Sequence, residues 1–186
     1  DQGRGGWGQM PAIVSKDRYM DTAEGRFHFV DWGGSGPLTV IGHATGFCAR
    51  VYTPLARRLI DHLHPVGLDD RGHGQTTVPA DPRRLKSWRV FVDDFQRFIE
   101  YLGGPVVFIG HSRGGVAGLE LAVNRPDLIS RLILIDPTIL PYSWAFWTWP
   151  IQKFNLGRQV PIAARAARRR NGWANLDELR RSYEVK

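Results

Sequence analysis

The 186-residue chain has a single cysteine and lacks any long apolar segment. Because Cys48 is alone, the chain cannot form an internal disulfide or a cysteine-based zinc site. Its longest apolar runs, such as 106–109 and 132–135, are far shorter than the ~20 residues a membrane-spanning helix needs. The first eight residues also lack the basic start and apolar stretch of a signal peptide. We therefore expect a cytoplasmic protein without a transmembrane segment.

An excess of basic residues gives the chain a formal charge of +7. Such an excess is one mark of a nucleic-acid-binding protein. Here, however, much of it is concentrated near the C-terminus, at Arg165, Arg168, Arg169, Arg170, Arg180 and Arg181. A local basic cluster of this kind is more typical of a solvated helix face. We predict no nucleic-acid partner.

Short β-type runs alternate with amphipathic helical patterns over most of the chain. The predicted strands are 18–21, 26–32, 38–41, 66–68, 105–109 and 131–135, and the predicted helices are 50–63, 87–102 and 113–124. This alternation predicts an α/β fold in which a mostly parallel sheet is flanked by helices. The pattern ends near Pro137, so we expect a core over 1–137 and a different, helical region over 138–186.

Residues 110–114 read Gly-His-Ser-Arg-Gly, which matches the pattern G-x-S-x-G. The segment directly follows a predicted strand and directly precedes a predicted helix, the context of a nucleophile elbow. A strand that turns at once into a helix forces its central residue into a strained backbone conformation with positive φ. Side chains at Gly110 and Gly114 would collide across such a turn. Ser112 is therefore the predicted nucleophile, and a serine that merely caps the helix is the alternative.

Two further segments follow predicted strands. Residues 42–47 read Gly-His-Ala-Thr-Gly-Phe, and residues 69–76 read Asp-Asp-Arg-Gly-His-Gly-Gln-Thr. Together with the elbow, and in the same order, they resemble the motifs of the serine-nucleophile branch of the α/β-hydrolases, which includes esterases and lipases. Ala44 stands where that family usually has glycine, and Thr76 where it has serine. The resemblance covers about residues 18–136.

The resemblance implies a role for several of these residues. The backbone N–H groups of Thr45 and Arg113 would form the oxyanion hole. Asp69 and Arg71 are expected to pair and to hold the acidic turn. For His43 we favour a buried residue that hydrogen-bonds to backbone and stiffens its loop over one that transfers protons. Asp69, Asp70 and His73 could also be read as metal ligands, but spacing alone is poor support, and we predict no metal and no cofactor.

A serine nucleophile needs a base, and in this family the order along the chain is Ser, then Asp or Glu, then His. All six histidines precede Ser112, so the catalytic histidine is absent from the sequence. We therefore expect a fragment that lacks the C-terminal part and hydrolyses esters poorly. Asp136 is a candidate acid because it follows the strand predicted over 131–135, but a structural role in the turn is favoured.

The segment after residue 138 is rich in aromatic and basic residues. In the resembling family the insertion at this point begins a helical cap over the active site. Trp144 and Trp147 would then line a substrate pocket, or would simply join the cap to the core. The leading interpretation is a serine hydrolase for a carboxylic ester or related acyl bond of a small molecule. A non-catalytic relative that binds ligands or partners is the alternative, and the oligomeric state is not predicted.

Overall fold

The computed structural model describes residues 14–81, 87–139 and 174–184. The chain divides into two compact units, residues 1–139 and 140–186. The described strands of the first unit are β1 (Lys16–Thr22), β2 (Gly25–Asp31), β3 (Leu38–Gly42), β4 (His64–Leu68), β5 (Val106–His111) and β6 (Ile129–Ile135). Its helices are α1 (Thr53–Leu59), α2 (Arg89–Leu102) and α3 (Arg113–Asn124), with short 3₁₀ helices at Ala49–Tyr52 and Pro126–Leu128. In the second unit one helix is described, α4 (Leu176–Glu184).

The six strands form one sheet in the order β1-β2-β4-β3-β5-β6. β1 and β2 form the predicted antiparallel hairpin, and β2 also runs antiparallel to β4. The remaining pairs, β4 with β3, β3 with β5 and β5 with β6, are parallel. The prediction of a mostly parallel sheet flanked by helices is therefore confirmed. The carboxyl ends of β3, β5 and β6 lie at the same edge of the sheet.

The central strands are buried on both faces, so alternate residues of one strand enter two different clusters. In β5, Val106 and Phe108 belong to the cluster that includes α2 and α3, whereas Val107 and Ile109 belong to the one beside α1. This period of two is the geometry of any β-strand. Because both faces of these strands are buried, nearly every residue is apolar, and the strands appear as continuous apolar runs in the sequence. The two clusters pack on opposite faces of the sheet, below the residues that follow its strands.

Two helices begin differently from the predictions, and several strands have limits one or two residues away from the predicted ones. The helix predicted over 50–63 is a 3₁₀ turn followed by the shorter α1, because Pro54 lies in the first turn of α1, where proline favours a helix start. Ser87 was expected to cap α2, but Trp88 occupies the N-cap position. The Ser87 hydroxyl nevertheless accepts a hydrogen bond from the Arg89 amide at 3.2 Å. The predicted stop at Gly103 is confirmed by its φ of 78°.

No helix within the described segments is long and apolar enough to cross a membrane. The boundary between a core over 1–137 and a helical cap over 138–186 stays a prediction, because residues 140–173 lie outside the described part of the chain.

Candidate active site

Ser112 lies at the junction of β5 and α3, with φ 52° and ψ −117°. The prediction of a strained, positive-φ residue at this point is thus confirmed. A side chain at Gly110 would bring its Cβ to 2.5 Å from the Cα of Gly115 and to 2.6 Å from the carbonyl oxygen of Gly114. These are backbone atoms that cannot move aside. Glycine is therefore required at position 110 for β5 to turn directly into α3.

The sequence suggested that a side chain at Gly114 would collide with one at Gly110, but the structure shows a different close approach at Gly114. A Cβ on Gly114 would collide with the carbonyl oxygens of Gly42 and His43 at the end of β3, not with Gly110. Because β3 and β5 are neighbours, paired at Gly42 and Gly110, the first turn of α3 lies against the start of the loop that follows β3. Because Gly114 has no side chain, the elbow and this loop can approach each other closely.

The loop of residues 43–47, which we call the oxyanion loop, has most of its amides hydrogen-bonded. The Ala44 N–H donates to Tyr52 Oη at 3.0 Å, the Gly46 N–H to His73 Nε2 at 3.2 Å, and the Phe47 N–H to the Ala44 carbonyl at 3.1 Å. Among the described residues, none accepts a hydrogen bond from the Thr45 N–H. An exposed loop that leaves one amide unpaired between paired ones presents a ready hydrogen-bond donor.

His43 has the structural role that the sequence favoured. Its ring is fully buried, and Nδ1 donates to the Ala44 carbonyl at 2.8 Å. Nε2 accepts the Asp70 N–H at 3.0 Å, which assigns the tautomer. The ring therefore joins the oxyanion loop to the turn after β4, as predicted.

The acidic turn is held together differently from the prediction. Arg71 pairs with Asp94 of α2, through Nε–Oδ2 at 2.6 Å and Nη2–Oδ1 at 2.8 Å, and also contacts Glu24 at 3.2 Å. Asp69 instead accepts hydrogen bonds from His28 Nδ1 and from the backbone amides of Ala49 and Gln75. The expected Asp69–Arg71 pair is wrong. The long side chain of Arg71 reaches the buried carboxylate of Asp94 on α2. The carboxylate of Asp69 already accepts hydrogen bonds from other donors.

His73 belongs to this turn and supports the oxyanion loop. Burial lowers the pKa of His73, so its ring is neutral near neutral pH. Nδ1 donates to the Arg71 carbonyl at 2.9 Å, which leaves Nε2 as the acceptor for the Gly46 N–H. The acidic turn thus contributes to the site through a histidine and a carboxylate that stabilise the oxyanion loop. Among the described residues no cluster of His, Cys, Asp or Glu could hold a metal ion.

The side chains on either side of Ser112 also hold the oxyanion loop. His111 Nδ1 lies 2.7 Å from Tyr52 Oη and is hydrogen-bonded to it, and the same oxygen accepts the Ala44 N–H. Burial raises the pKa of Tyr52 and keeps that hydroxyl protonated. In the described residues Ser112 Oγ has a different neighbour, Thr138 Oγ1 at 3.2 Å.

Arg113 makes the second of these links, which sequence reasoning missed. Its guanidinium is buried, donating through Nη2 to Asp70 Oδ2 at 2.5 Å and through Nε to Thr45 Oγ1 at 3.0 Å. The carbon Cζ also lies 3.9 Å from the ring centre of Phe91. The available signal was an arginine in the first turn of an otherwise small and apolar helix, since a buried cation requires a partner.

Asp136 lies directly after β6 with φ 43°, and its side chain is exposed. The residue before it, Ile135, accepts the Ser112 N–H at 3.0 Å, so the end of β6 is adjacent to the nucleophile. The position suits either role expected from the sequence, and the catalytic one stays a prediction. Trp144 and Trp147, the predicted pocket residues, lie outside the described part of the chain.

This arrangement has the parts of an acyl-transfer site: a serine on a strained strand–helix turn and unpaired amides beside it. The model of the alpha/beta hydrolase family matches residues 34–184, and the chain belongs to this family.

Individual relatives include both enzymes and a receptor. The chain is 34% identical over 110 residues to the (E)-2-((N-methylformamido)methylene)succinate hydrolase of Acinetobacter baylyi, an alignment that covers 59% of the chain and 40% of that enzyme. It is 33% identical over 112 residues to Karrikin insensitive 2 receptor B of Petunia hybrida, covering 59% of the chain and 41% of the receptor. The solved structure of E-2-(acetamidomethylene)succinate hydrolase aligns with a TM-score of 0.60 and 25% identity, covering 75% of this chain and 51% of that one. The chain thus spans about two fifths of the length of these curated relatives.

Proposed function

We propose that this chain carries the nucleophile and the oxyanion hole of a serine hydrolase for a carboxylic ester or related acyl bond of a small molecule. Ser112 Oγ attacks the carbonyl carbon of the substrate and loses its proton to a base. The N–H groups of Thr45 and Arg113 stabilise the negative charge that develops on the carbonyl oxygen. Collapse of this intermediate expels the leaving group and forms an acyl-enzyme, which water then hydrolyses.

The observation that carries the proposal is the unpaired amide of Thr45 beside the elbow. Each other amide of residues 44–47 is hydrogen-bonded, and Thr45 is joined by its side chain to the residue after Ser112. Arg113 is the first residue of α3, so no preceding turn of the helix accepts a hydrogen bond from its N–H. Two donors at the ends of neighbouring parallel strands, next to a strained serine, are the parts that an oxyanion requires.

The base is not assigned to a residue of this chain. All six histidines precede Ser112, and the nearest in sequence, His111, is bonded to Tyr52. The family order of the triad puts the histidine after the nucleophile. We therefore expect the 186 residues alone to turn over p-nitrophenyl acetate slowly, if at all. Fast turnover that is lost in Ser112→Ala would contradict this part of the proposal.

A fluorophosphonate probe tests the central claim, because it phosphonylates only activated serines. The protein from the complete reading frame that encodes this sequence is incubated with the probe, digested and analysed by mass spectrometry. We expect modification at Ser112 and none in Ser112→Ala. Absence of labelling in the folded wild-type protein would refute the proposal.

The second candidate is a ligand-binding protein without turnover, and the similarity to a plant receptor favours it. The same site would then bind a small molecule against the elbow without cleaving it. An unlabelled Ser112 in a protein that shows saturable binding of an ester would support this candidate over the first.

A further inference from the structure

Thr45 is one of the exposed residues of the oxyanion loop, and among the described residues its side chain makes the hydrogen bond that attaches it to the rest of the protein. Its neighbours on both sides are fixed through their amides, by Tyr52 and His73. The Thr45 amide must stay free if it is to bind an oxyanion, so it cannot itself be held by a hydrogen bond. The hydroxyl can be, and Oγ1 accepts from Arg113 Nε at 3.0 Å.

Arg113 is a rigid partner for this hydroxyl. Its side chain is 3% exposed, pairs with the buried Asp70 carboxylate, and stacks over Phe91. A planar guanidinium binds two acceptors at once through different nitrogens, which a lysine ammonium on a flexible stem does less well. Asp70 is itself fixed, because its N–H donates to the buried His43 ring. The contacts that run from Thr45 through Arg113 and Asp70 therefore end at His43, which belongs to the same oxyanion loop.

The hydrogen bond between Arg113 and Thr45 links the two residues whose amides are the proposed oxyanion donors. The backbone of Arg113 supplies one proposed oxyanion donor, and its side chain holds the residue that supplies the other. Stabilisation of an oxyanion requires each donor at 2.7–3.1 Å from the oxygen, so the position of the two amides relative to one another affects the rate as well as their presence. Resting on the function proposed above, we infer that Arg113 is a positioning residue, anchored by Asp70, that sets the position of the Thr45 amide relative to Ser112.

A purely structural role for Arg113 is the competing explanation. In that case the arginine only neutralises Asp70 in the interior, and its contact with Thr45 is incidental. Substitution of Arg113 or Asp70 cannot separate the two, because an unpaired buried charge would destabilise the fold in both cases. Thr45→Val can, since valine has nearly the same shape, lies on an exposed loop, and leaves the Arg113–Asp70 pair intact.

The test measures the kinetics of Ser112 phosphonylation by a fluorophosphonate in the protein from the complete reading frame. The probe concentration is varied to separate the maximal rate from the concentration at half-maximal rate. The variants are Thr45→Val and Thr45→Ser, with Thr77→Val as a matched control. Thr77 also lies on an exposed loop, and its hydroxyl accepts the Arg26 N–H at 2.9 Å, away from the elbow.

We expect Thr45→Val to lower the maximal rate about tenfold, less than the 10²–10³ lost when an oxyanion donor is removed outright. The half-saturating probe concentration and the thermal midpoint should stay near the wild-type values, and Thr45→Ser should recover most of the rate. Thr77→Val should react like the wild type. A wild-type maximal rate in Thr45→Val, or equal loss in Thr45→Ser, overturns the positioning role while the proposed function stands. An unlabelled wild-type protein refutes the proposed function and this inference with it.

Discussion

The strained backbone of Ser112 predicts that glycine at this position stabilises the fold relative to alanine. Ser112 has φ 52° and ψ −117°, values near the first central residue of a type II′ turn, which glycine favours. Ser112→Ala removes the hydroxyl but keeps the Cβ and therefore the strain. Ser112→Gly removes both. Comparing the two variants with each other isolates the backbone term from the loss of the hydroxyl.

The expected difference follows from two opposing contributions. A non-glycine residue in such a region costs of order 1–3 kcal/mol, and glycine recovers this amount. Glycine also makes the unfolded chain more flexible, which costs about 0.4–1 kcal/mol. From the middle of each range, Ser112→Gly should be more stable than Ser112→Ala by about 1.3 kcal/mol. Its midpoint should be higher by about 2–4 °C for each kcal/mol in a chain of this size.

Urea unfolding followed by circular dichroism gives the free energies, and Glu120 provides a matched control. Glu120 lies within α3 at an ordinary helical position, so Glu120→Gly should be less stable than Glu120→Ala by about 1 kcal/mol. The free energy of unfolding of the glycine variant should therefore exceed that of the alanine variant at position 112 and fall below it at position 120. If Ser112→Gly is less stable than Ser112→Ala by as much as the Glu120 pair, the strain at the elbow is not stored in the folded state and the reasoning is refuted.

Two further predictions concern the groups that hold the acidic turn. Asp94 is 1% exposed, and its hydrogen bonds raise the pKa of Arg71, so Asp94→Asn should lower the free energy of unfolding by about 3–5 kcal/mol, while Arg71→Met combined with Asp94→Leu should recover much of it. Urea unfolding of the three proteins checks this, and a loss below about 1 kcal/mol, the range of an exposed pair, would contradict it. Burial lowers the pKa of His73, so the stability this residue contributes is fully present above its ordinary pKa of about 6.5 and is lost as the pH falls through the lowered value. The unfolding free energy of wild type minus that of His73→Gln, which keeps an acceptor for Gly46 without titrating, should therefore fall between pH 7 and pH 5; a flat difference would contradict the assignment.

The elements near the elbow were predictable because their signals are local. The helix predicted over 113–124 is α3 with the same limits, and the hairpin, the parallel strands and the Gly103 stop were all found where expected. An apolar run between turn residues indicates a buried strand whatever it packs against. The exact ends of the elements were less predictable, and the starts of α1 and α2 moved because the pattern does not specify which of several adjacent residues takes the cap position.

The partners of charged side chains were not predictable in the same way. Asp69 and Arg71 are two residues apart and of opposite charge, which made their pairing the simplest expectation. Arg71 instead reaches Asp94, 23 residues further along the chain. Each charge was correctly expected to be satisfied, but the identity of the partner depends on how α2 packs across the turn.

The sequence by itself determined the α/β alternation and the elbow with Ser112 at its strained centre, because each depends on residue types within a few positions of one another. The place of the two loops beside the elbow was implied by the resemblance to the family. Only the tertiary structure decided which amide of the oxyanion loop is left unpaired and what holds it. Those contacts join Thr45 to Arg113 and Arg113 to Asp70 across 68 and 43 residues of chain, and they exist because the sheet brings the ends of β3, β4 and β5 to one edge.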